Sequence, residues 1–398
     1  MNWSRAVSGC MALGAAGLLA ACGSSGSSTD AAKSSTGNGG KAKVLSIGFP
    51  YAATGPYATF DVGVLNGMQY AAKKLNAANG PVTFKIVAQD NGSTPQTAST
   101  VTQSMLGQGV RSFVMSTVGA NVAMGLQMSK AGAVIEMGMV AAPSVRQAIG
   151  QRAVSLAEPL LNVQASAVAK YACDKGYRNV WTLGSPDLGY TQVGSKYFAD
   201  AFAHYCGGKI AGTGTYKIGA TDYGTQIEKI PASADAIFSP IFVPDSIAFA
   251  KQLRSSGNKL PFLSTDGQDA PAYAKAGVSA VEGSVFATAA FPTPGSPLAA
   301  FFADFKRATG AAPTSNEFEA VGRDAVYAYA DAVKNAGGDT SPDAILAGFK
   351  QIKDLPLVTG NATMGSDNVA IKPVALVQIK DGKPTQLSFK VPPYTPAP

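Results

Sequence analysis

The chain has 398 residues, of which 46% are hydrophobic and 14% are charged, and its formal net charge is +7. This length suits two domains of ordinary size, and the apolar content argues against wholesale disorder. Lysine and arginine are scattered, with no run longer than two residues such as Lys73-Lys74. The sequence therefore excludes a basic nucleic-acid-binding stripe, and we expect no nucleic-acid partner.

Residues 1–21 read as a signal peptide. Arg5 precedes an uncharged apolar run from Ala6 to Ala21, which falls short of the roughly 20 residues of a membrane span. The run ends in Leu-Ala-Ala-Cys22, which matches the bacterial lipobox, and this resemblance implies cleavage before Cys22 and lipidation of its thiol. An ordinary signal peptide with an incidental cysteine is the alternative.

Residues 22–43 begin with that cysteine and continue as a Ser/Gly-rich segment. A flexible linker of this length has a mean reach of roughly 25 Å. We therefore expect an extracytoplasmic protein that is tethered by lipid to a bacterial membrane.

From Val44 onward, short β-branched runs alternate with helical stretches. This alternation is typical of parallel sheets with helices on both faces. Strands are predicted at Val44–Phe49, Val82–Ala88, Ser112–Met115, Val134–Met137, Asn179–Leu183, Lys209–Thr215, Ala236–Ser239, Pro261–Leu263 and Val281–Thr288. Helices are predicted at Phe60–Asn79, Tyr190–Tyr205, Pro297–Thr309, Asn316–Ala336 and Asp343–Gln351.

The C-terminal runs Val374–Ile379 and Gln386–Val391 predict a hairpin about Asp381-Gly382. These strands exceed one ordinary doubly wound sheet. The predicted fold class is therefore α/β, with two doubly wound parallel-sheet lobes.

Two cysteines remain once Cys10 has left with the signal peptide and Cys22 carries lipid. Cys173 and Cys206 each stand at the end of a predicted helix, Cys173 just before Lys175-Gly176 and Cys206 just before Gly207-Gly208. Successive helices of an α/β layer end on the same edge of the sheet, so a disulfide is geometrically reasonable in an oxidising compartment. Two buried free thiols are the alternative.

Catalytic groups are sparse. The one histidine, His204, would have to carry any Ser-His-Asp or Cys-His site, and one His with two available Cys leaves too few ligands for a tight zinc or iron site. Gly212-Thr213-Gly214 lacks the remainder of a dinucleotide fingerprint. Glu317 and Glu319 formally suit a glycosidase pair but read more simply as surface acids on a helix. We expect no enzyme activity, no metal and no cofactor.

Four turns that follow predicted strands carry a resemblance to a known family. They are Thr54-Gly55-Pro56-Tyr57-Ala58-Thr59-Phe60 with the following Asn66-Gly67, Asp90 with Pro95, Asp187-Leu188-Gly189-Tyr190, and Ser264-Thr265-Asp266-Gly267. Their order and spacing between Val44 and Pro384 resemble the leucine/isoleucine/valine-binding proteins, which are extracytoplasmic receptors of ABC importers.

The resemblance implies a type I periplasmic-binding-protein fold, in which two lobes joined by a three-crossover hinge close on a ligand. It places lobe 1 at residues 44–157 and 288–371 and lobe 2 at residues 158–287 and 372–398. The implied partners are a small-molecule ligand, ABC permease subunits and the membrane, and we expect a monomer. Ligand sites in open α/β sheets lie beyond the carboxyl ends of the strands, where these turns fall.

The resemblance also implies a set of ligand-binding residues. Phe60, together with Tyr57, contacts the apolar part of the ligand. Packing in the protein core is the alternative role for Phe60, Phe242 and Phe318. The carboxylate-binding turn falls on Thr117 to Asn121, including Ala120, and a second element falls on Ala141, where the family's threonine is lost. The ammonium partners fall on Tyr190, Phe242 and Asp266, where phenylalanine replaces a second tyrosine and Asp266 is alternatively a turn-forming residue.

About half of the family's amino-acid-binding residues are thus present in this sequence. The sequence predicts a ligand more apolar than a free branched-chain amino acid, with a hydroxyl, amide or amine toward Asp266 and Tyr190. Two other functions stay open for the protein. One is a sensing module of the same fold that acts on a signalling partner, and the other is a lipid-anchored hydrolase.

Overall fold

The computed structural model describes residues 43–117 and 120–398. The predictions for the signal peptide, for Cys22 and for most of the tether fall outside these residues. Within the described chain, two large sheets are each flanked by helices, and a third sheet has only two short strands. This arrangement confirms the predicted α/β class with parallel-sheet lobes.

The first sheet has five parallel strands in the order β2-β1-β3-β4-β5. The strands are β1 Lys43–Tyr51, β2 Val82–Asp90, β3 Ser112–Val114, β4 Val134–Glu136 and β5 Ala153–Val154. The helices between them are α1 Ala58–Ala77, α2 Pro95–Gly107, α3 Asn121–Lys130 and α4 Pro143–Ile149.

The chain then builds most of a second sheet, whose seven strands have the order β14-β13-β10-β9-β8-β6-β7. Its parallel strands are β6 Asn179–Gly184, β7 Lys209–Thr215, β8 Ala236–Phe238, β9 Phe262–Ser264 and β10 Val285–Thr288. The helices of this segment are α5 Leu161–Asp174, α6 Gly189–Cys206, α7 Gly224–Glu228, α8 Asp245–Ser255, α9 Pro271–Ala274 and α10 Val278–Val281.

After β10 the chain returns to the first sheet before it completes the second. It forms α11 Pro297–Thr309, α12 Phe318–Asn335, α13 Pro342–Lys350, β11 Thr363–Met364 and β12 Ala370–Ile371, and then the antiparallel strands β13 Val374–Lys380 and β14 Lys383–Lys390. The chain therefore passes between the two sheets three times, as the type I fold requires.

Helix α12 is held on the first sheet by a close helix crossing and by one buried hydroxyl. A Cβ added at Gly322 would lie 2.0 Å from the Val64 carbonyl oxygen of α1, so the two backbones touch. The fully buried Tyr329 donates to the Phe113 carbonyl at 2.7 Å and accepts from the Phe113 N–H at 3.1 Å. These contacts fix the start of α12, where Phe318 lies, relative to the start of α1.

The predicted hairpin is confirmed, because Asp381 and Gly382 both have positive φ and join β13 to β14 directly. The predicted strand Val281–Thr288 starts too early. Val281 ends the short helix α10, and Gly283 then turns the chain at a φ of 76° before β10 begins. The two-residue strand β5 was not predicted, since a run that short carries no periodic signal.

Cys173 near the end of α5 and Cys206 at the end of α6 are joined by a disulfide, with their Cα atoms 5.8 Å apart. Of the two alternatives for these thiols, the structure has the disulfide. It links the two helices that follow the first passage between the sheets and packs at the edge of their shared apolar layer.

Candidate functional site

The turn after β1 is tied to the loop after β2. Gly55 has a φ of 83°, and a Cβ there would lie 2.6 Å from the Ser93 Cβ, so this position favours glycine. Ser93 Oγ donates to the Thr54 carbonyl at 2.6 Å and accepts from the Tyr57 N–H at 3.2 Å. Tyr57 is half-buried against the first sheet at the start of α1, and Phe60 lies nearly one turn further on.

Four predicted aromatic residues form one continuous set of ring contacts, which we call the aromatic cluster. Phe60 of α1 meets Phe318 of α12 edge to face at a centroid distance of 5.3 Å and Phe242, after β8, at 6.2 Å. Tyr190 of α6 lies 4.9 Å from Phe242. Such pairs are each worth about 0.5–1.5 kcal/mol beyond their area burial. Rings from two helices of the first sheet therefore meet rings from a helix and a loop of the second sheet at one place.

The polar end of this cluster is the Tyr190 hydroxyl. It contacts the Asp266 carboxylate and lies 2.8 Å from Thr265 Oγ1. The Asp266 N–H in turn donates to Gln164 Oε1 at 3.0 Å, and Gln164 Nε2 donates to Glu158 Oε1 at 3.0 Å. Burial, and after it the charge of Asp266, raises the pKa of Tyr190 well above its usual value, so this hydroxyl stays protonated and donates.

Behind Asp266 lie further buried acids. Together they form the carboxyl cluster, made up of Glu158, Asp266, Asp269 and Glu317. None of the four is more than 7% exposed. Burial raises the pKa of every member, and the charges of neighbouring members raise those of Glu158, Asp269 and Glu317 further. The pKa of Asp269 rises to about 7.

One hydroxyl shows why these acids hold protons. Thr288 Oγ1 lies 2.5 Å from Asp269 Oδ2 and 2.8 Å from Glu317 Oε2, and a hydroxyl has a single proton to donate. The second contact is a hydrogen bond only when one of the two acids is itself protonated. Glu317 and Glu319 were interpreted as surface acids, and this was wrong. Both are 1% exposed, with Glu319 accepting from the Thr314 N–H and hydroxyl at 2.9 Å.

The predicted carboxylate-binding turn is occupied from within. The fully buried Asp61 of α1 accepts from the Thr117 N–H at 3.2 Å and from the Thr117 hydroxyl at 2.8 Å. Asn121 donates to the Ser116 carbonyl at 3.1 Å, and Ala120 is buried at the start of α3. Residues 118 and 119 of the predicted turn lie outside the described residues.

Ala141, the second predicted carboxylate element, is 3% exposed and brings no hydroxyl. Its N–H donates to the Met139 carbonyl at 3.1 Å, and its carbonyl accepts from the Leu161 N–H at 2.8 Å. The backbone of Ala141, just before α4, is therefore hydrogen-bonded to the first residue of α5. The methyl group of Ala141 is buried.

Sequence reasoning missed Asp61, Glu158 and Asp269. A signal existed for Asp61, since α1 buries Asp61, Val64, Leu65 and Met68, the spacing of one helix face. An acid on an apolar stripe indicates a buried carboxylate with partners. No local pattern marks Glu158 or Asp269.

The histidine considered for catalysis lies apart from these clusters. The His204 ring stacks on Tyr394 at a centroid distance of 3.7 Å, near the C-terminus. Within residues 43–117 and 120–398, no group of three or more His, Cys, Asp or Glu is arranged to hold a metal ion. The same residues contain no helix that is both long and apolar enough to cross a membrane.

The family model for periplasmic binding proteins matches residues 44–384. The chain belongs to the periplasmic-binding-protein family. Members of this family are extracytoplasmic solute-binding proteins, so the recognition of the leucine/isoleucine/valine-binding type from its turns is confirmed.

This periplasmic binding protein is 25% identical to the Leu/Ile/Val-binding protein BraC3 of Rhizobium johnstonii over 331 residues, which is 81% of this chain and 87% of the relative. Its fold is similar to a leucine-binding protein, LivK, of Thermotoga maritima, with a TM-score of 0.78 and 22% identity over 87% of this chain and 99% of the other. It is also similar to an R. palustris solute-binding protein in complex with 4-hydroxybenzoate, with a TM-score of 0.77 and 19% identity over 88% and 98%.

Proposed function

We propose that this protein is the ligand receptor of an ABC importer, anchored outside the cytoplasmic membrane by lipid on Cys22, and that it binds a small organic molecule against the aromatic cluster. The observation that carries the proposal is the meeting of Phe60 and Phe318 from one side with Phe242 and Tyr190 from the other. A site built from both sides suits a receptor that closes on its ligand.

The ligand's body is assigned to the rings. A protein of similar fold from Streptococcus pneumoniae has been solved in complex with isoleucine, and R. palustris proteins of similar fold in complex with benzoate and with 4-hydroxybenzoate. The side chain of isoleucine is a compact apolar group and the ring of a benzoate is a flat one. Aromatic side chains can enclose either group. In this chain the ligand's polar group meets the Tyr190 hydroxyl and Asp266.

The three passages between the sheets are the proposed hinge, with boundaries at residues 157/158, 287/288 and 371/372. Lys372 lies at the third passage and is buried, with Nζ donating to the Ala157 carbonyl at 2.6 Å and to Thr359 Oγ1 at 2.5 Å. The bond to Ala157 joins the third passage to the first. Rotation about such a hinge separates the Phe60–Phe242 contact and admits the ligand.

The proposal is tested by binding. The mature chain carrying Cys22→Ser is screened by thermal shift against amino acids, benzoates, benzamides and aromatic amines, and hits are measured by calorimetry. Phe242→Ala should weaken any hit by about tenfold, because it removes two ring contacts. Phe302→Ala, which removes a half-buried ring on α11, is the matched control and should leave affinity unchanged.

Binding that survives Phe242→Ala unaltered would place the site elsewhere. The importer role is tested by uptake of the labelled hit in the native organism. Deletion of the gene should abolish high-affinity uptake, and restoration of the Cys22→Ser form should restore it poorly.

A further inference from the structure

The inference begins at Asp61, whose carboxylate satisfies the donors at the carboxyl ends of β1 and β3. It accepts from the Ala52 N–H at 2.8 Å, the Ser116 hydroxyl at 2.6 Å, and both the N–H and the hydroxyl of Thr117. These are donors that would otherwise hold an anionic ligand. A ligand carboxylate placed there would meet a buried acid instead of unpaired N–H and O–H groups.

The opposite side of the aromatic cluster is acidic and incompletely hydrogen-bonded. Glu158 is 3% exposed, and its Oε2 has no hydrogen-bond partner. Buried polar atoms are normally paired, so this orphaned oxygen marks where a ligand that carries an N–H donor completes the hydrogen bonding.

The charge balance points the same way. The ammonium group that acts on Glu158 is that of Lys372, which is shared with Asp324 and Glu136. When the four acids of the carboxyl cluster ionise, they create a negative potential that an added cation stabilises, although the whole chain carries +7. Tyr190, Phe242 and Phe60 present ring faces and edges next to this potential, and a cation is attracted to ring faces.

We propose that the site takes an organic cation, an ammonium or amidinium group on an apolar body without a carboxylate. The inference rests on the proposed function and narrows its ligand class. The cationic head lies at Asp266 and Glu158, donating to the unpaired Glu158 oxygen, and the body lies among the rings of the aromatic cluster.

Three probes of similar shape and different charge decide this by calorimetry at pH 7.5 with the mature Cys22→Ser chain. They are phenethylamine, 2-phenylethanol and 3-phenylpropanoate, and a second set with an isoamyl body tests a smaller ligand. The amine should bind about tenfold or more tightly than the alcohol, since it adds a charge-assisted hydrogen bond. The carboxylate should bind more weakly than the alcohol.

Variants separate this inference from the proposed function. Asp266→Asn and Glu158→Gln, made singly, should each cost the amine about tenfold and leave the alcohol within about twofold. Glu282→Gln changes an acid that accepts from the Asp381 and Gly382 N–H groups at the far end of β13 and should alter neither. Titration in two buffers of different ionisation heat should show proton release with the amine only, because a cation favours the ionised form of the cluster's acids.

Each outcome bears on the inference. Equal binding of all three probes, or an amine affinity unmoved by both acid variants, overturns the cationic class and leaves the aromatic site standing if Phe242→Ala still weakens binding. A preference for the carboxylate overturns it in the same way. Failure of every probe in both body sizes, while Phe242→Ala changes no hit in the broader screen, overturns the inference and the proposed function together.

Discussion

Replacement of Asp269 by asparagine should remove a loss of stability that the parent protein suffers as the pH rises. Asp269 is 3% exposed and accepts from Thr288 Oγ1 at 2.5 Å and from Asn316 Nδ2 at 2.6 Å. Burial raises the pKa of this carboxyl from 3.8 to about 7, so the folded chain holds a proton that the unfolded chain has released. Asparagine reproduces the shape of the acid and cannot ionise.

The sign follows from linkage. A carboxyl whose pKa is raised on folding contributes full stability below the unfolded pKa, and that contribution falls as the pH rises toward the folded pKa. A shift from 3.8 to about 7 corresponds to about 4 kcal/mol of unfolding free energy. Most of this, about 3–4 kcal/mol, is lost between about pH 4 and pH 7.5.

The assay is urea unfolding of the parent and of Asp269→Asn at pH 4, 6 and 7.5. The variant's stability relative to the parent should rise across this series by about 3–4 kcal/mol. Asp90→Asn is the control. Hydrogen bonds from the Gly92 and Ala53 N–H groups contribute to lowering the pKa of Asp90 below 3.8, so the stability that this variant lacks relative to the parent develops below about pH 4 and should change little across the series. A difference between Asp269→Asn and the parent that stays constant with pH would refute the reasoning.

Two further predictions concern how α12 is held. Tyr329→Phe removes the hydroxyl that donates to the Phe113 carbonyl and accepts from the Phe113 N–H, and should cost about 1–3 kcal/mol in urea unfolding; no loss would mean that the hydroxyl is not needed. Gly322→Ala places a methyl 2.0 Å from the Val64 carbonyl oxygen and should lower the melting temperature despite alanine's better helix propensity, whereas an increase would show that the helices can separate at little cost.

Local sequence signals predicted the elements well and the side-chain networks poorly. The helix Pro297–Thr309 was predicted with the bounds that the structure has, because Ser296 caps it, Pro297 opens it and Gly310 ends it. Phe60, Phe242 and Tyr190 could be singled out because the resemblance to a known family implies them. Each lies in a turn after a strand or at the first residues of the helix that follows. Parallel sheets bring such turns to one edge.

The carboxyl cluster could not be predicted in this way. Glu158, Asp269 and Glu317 are far apart in the chain, and only the three passages between the sheets bring them together. Acids are usually exposed, so a single sequence favours the surface interpretation that failed for Glu317. The absence of a ligand hydroxyl at Ala141 was visible in the sequence, but the internal carboxylate of Asp61 that fills the neighbouring turn became visible only with the hydrogen bonds.

The central claim is that the aromatic cluster binds an organic cation. It is tested most directly by mass spectrometry of the small molecule that remains bound when the protein is purified from its native organism. The account predicts one retained species, with an apolar aliphatic or aromatic body and an ammonium or amidinium group, that is lost from Phe242→Ala and kept by Phe302→Ala. A retained molecule that Phe242→Ala holds as tightly as the parent would contradict the account.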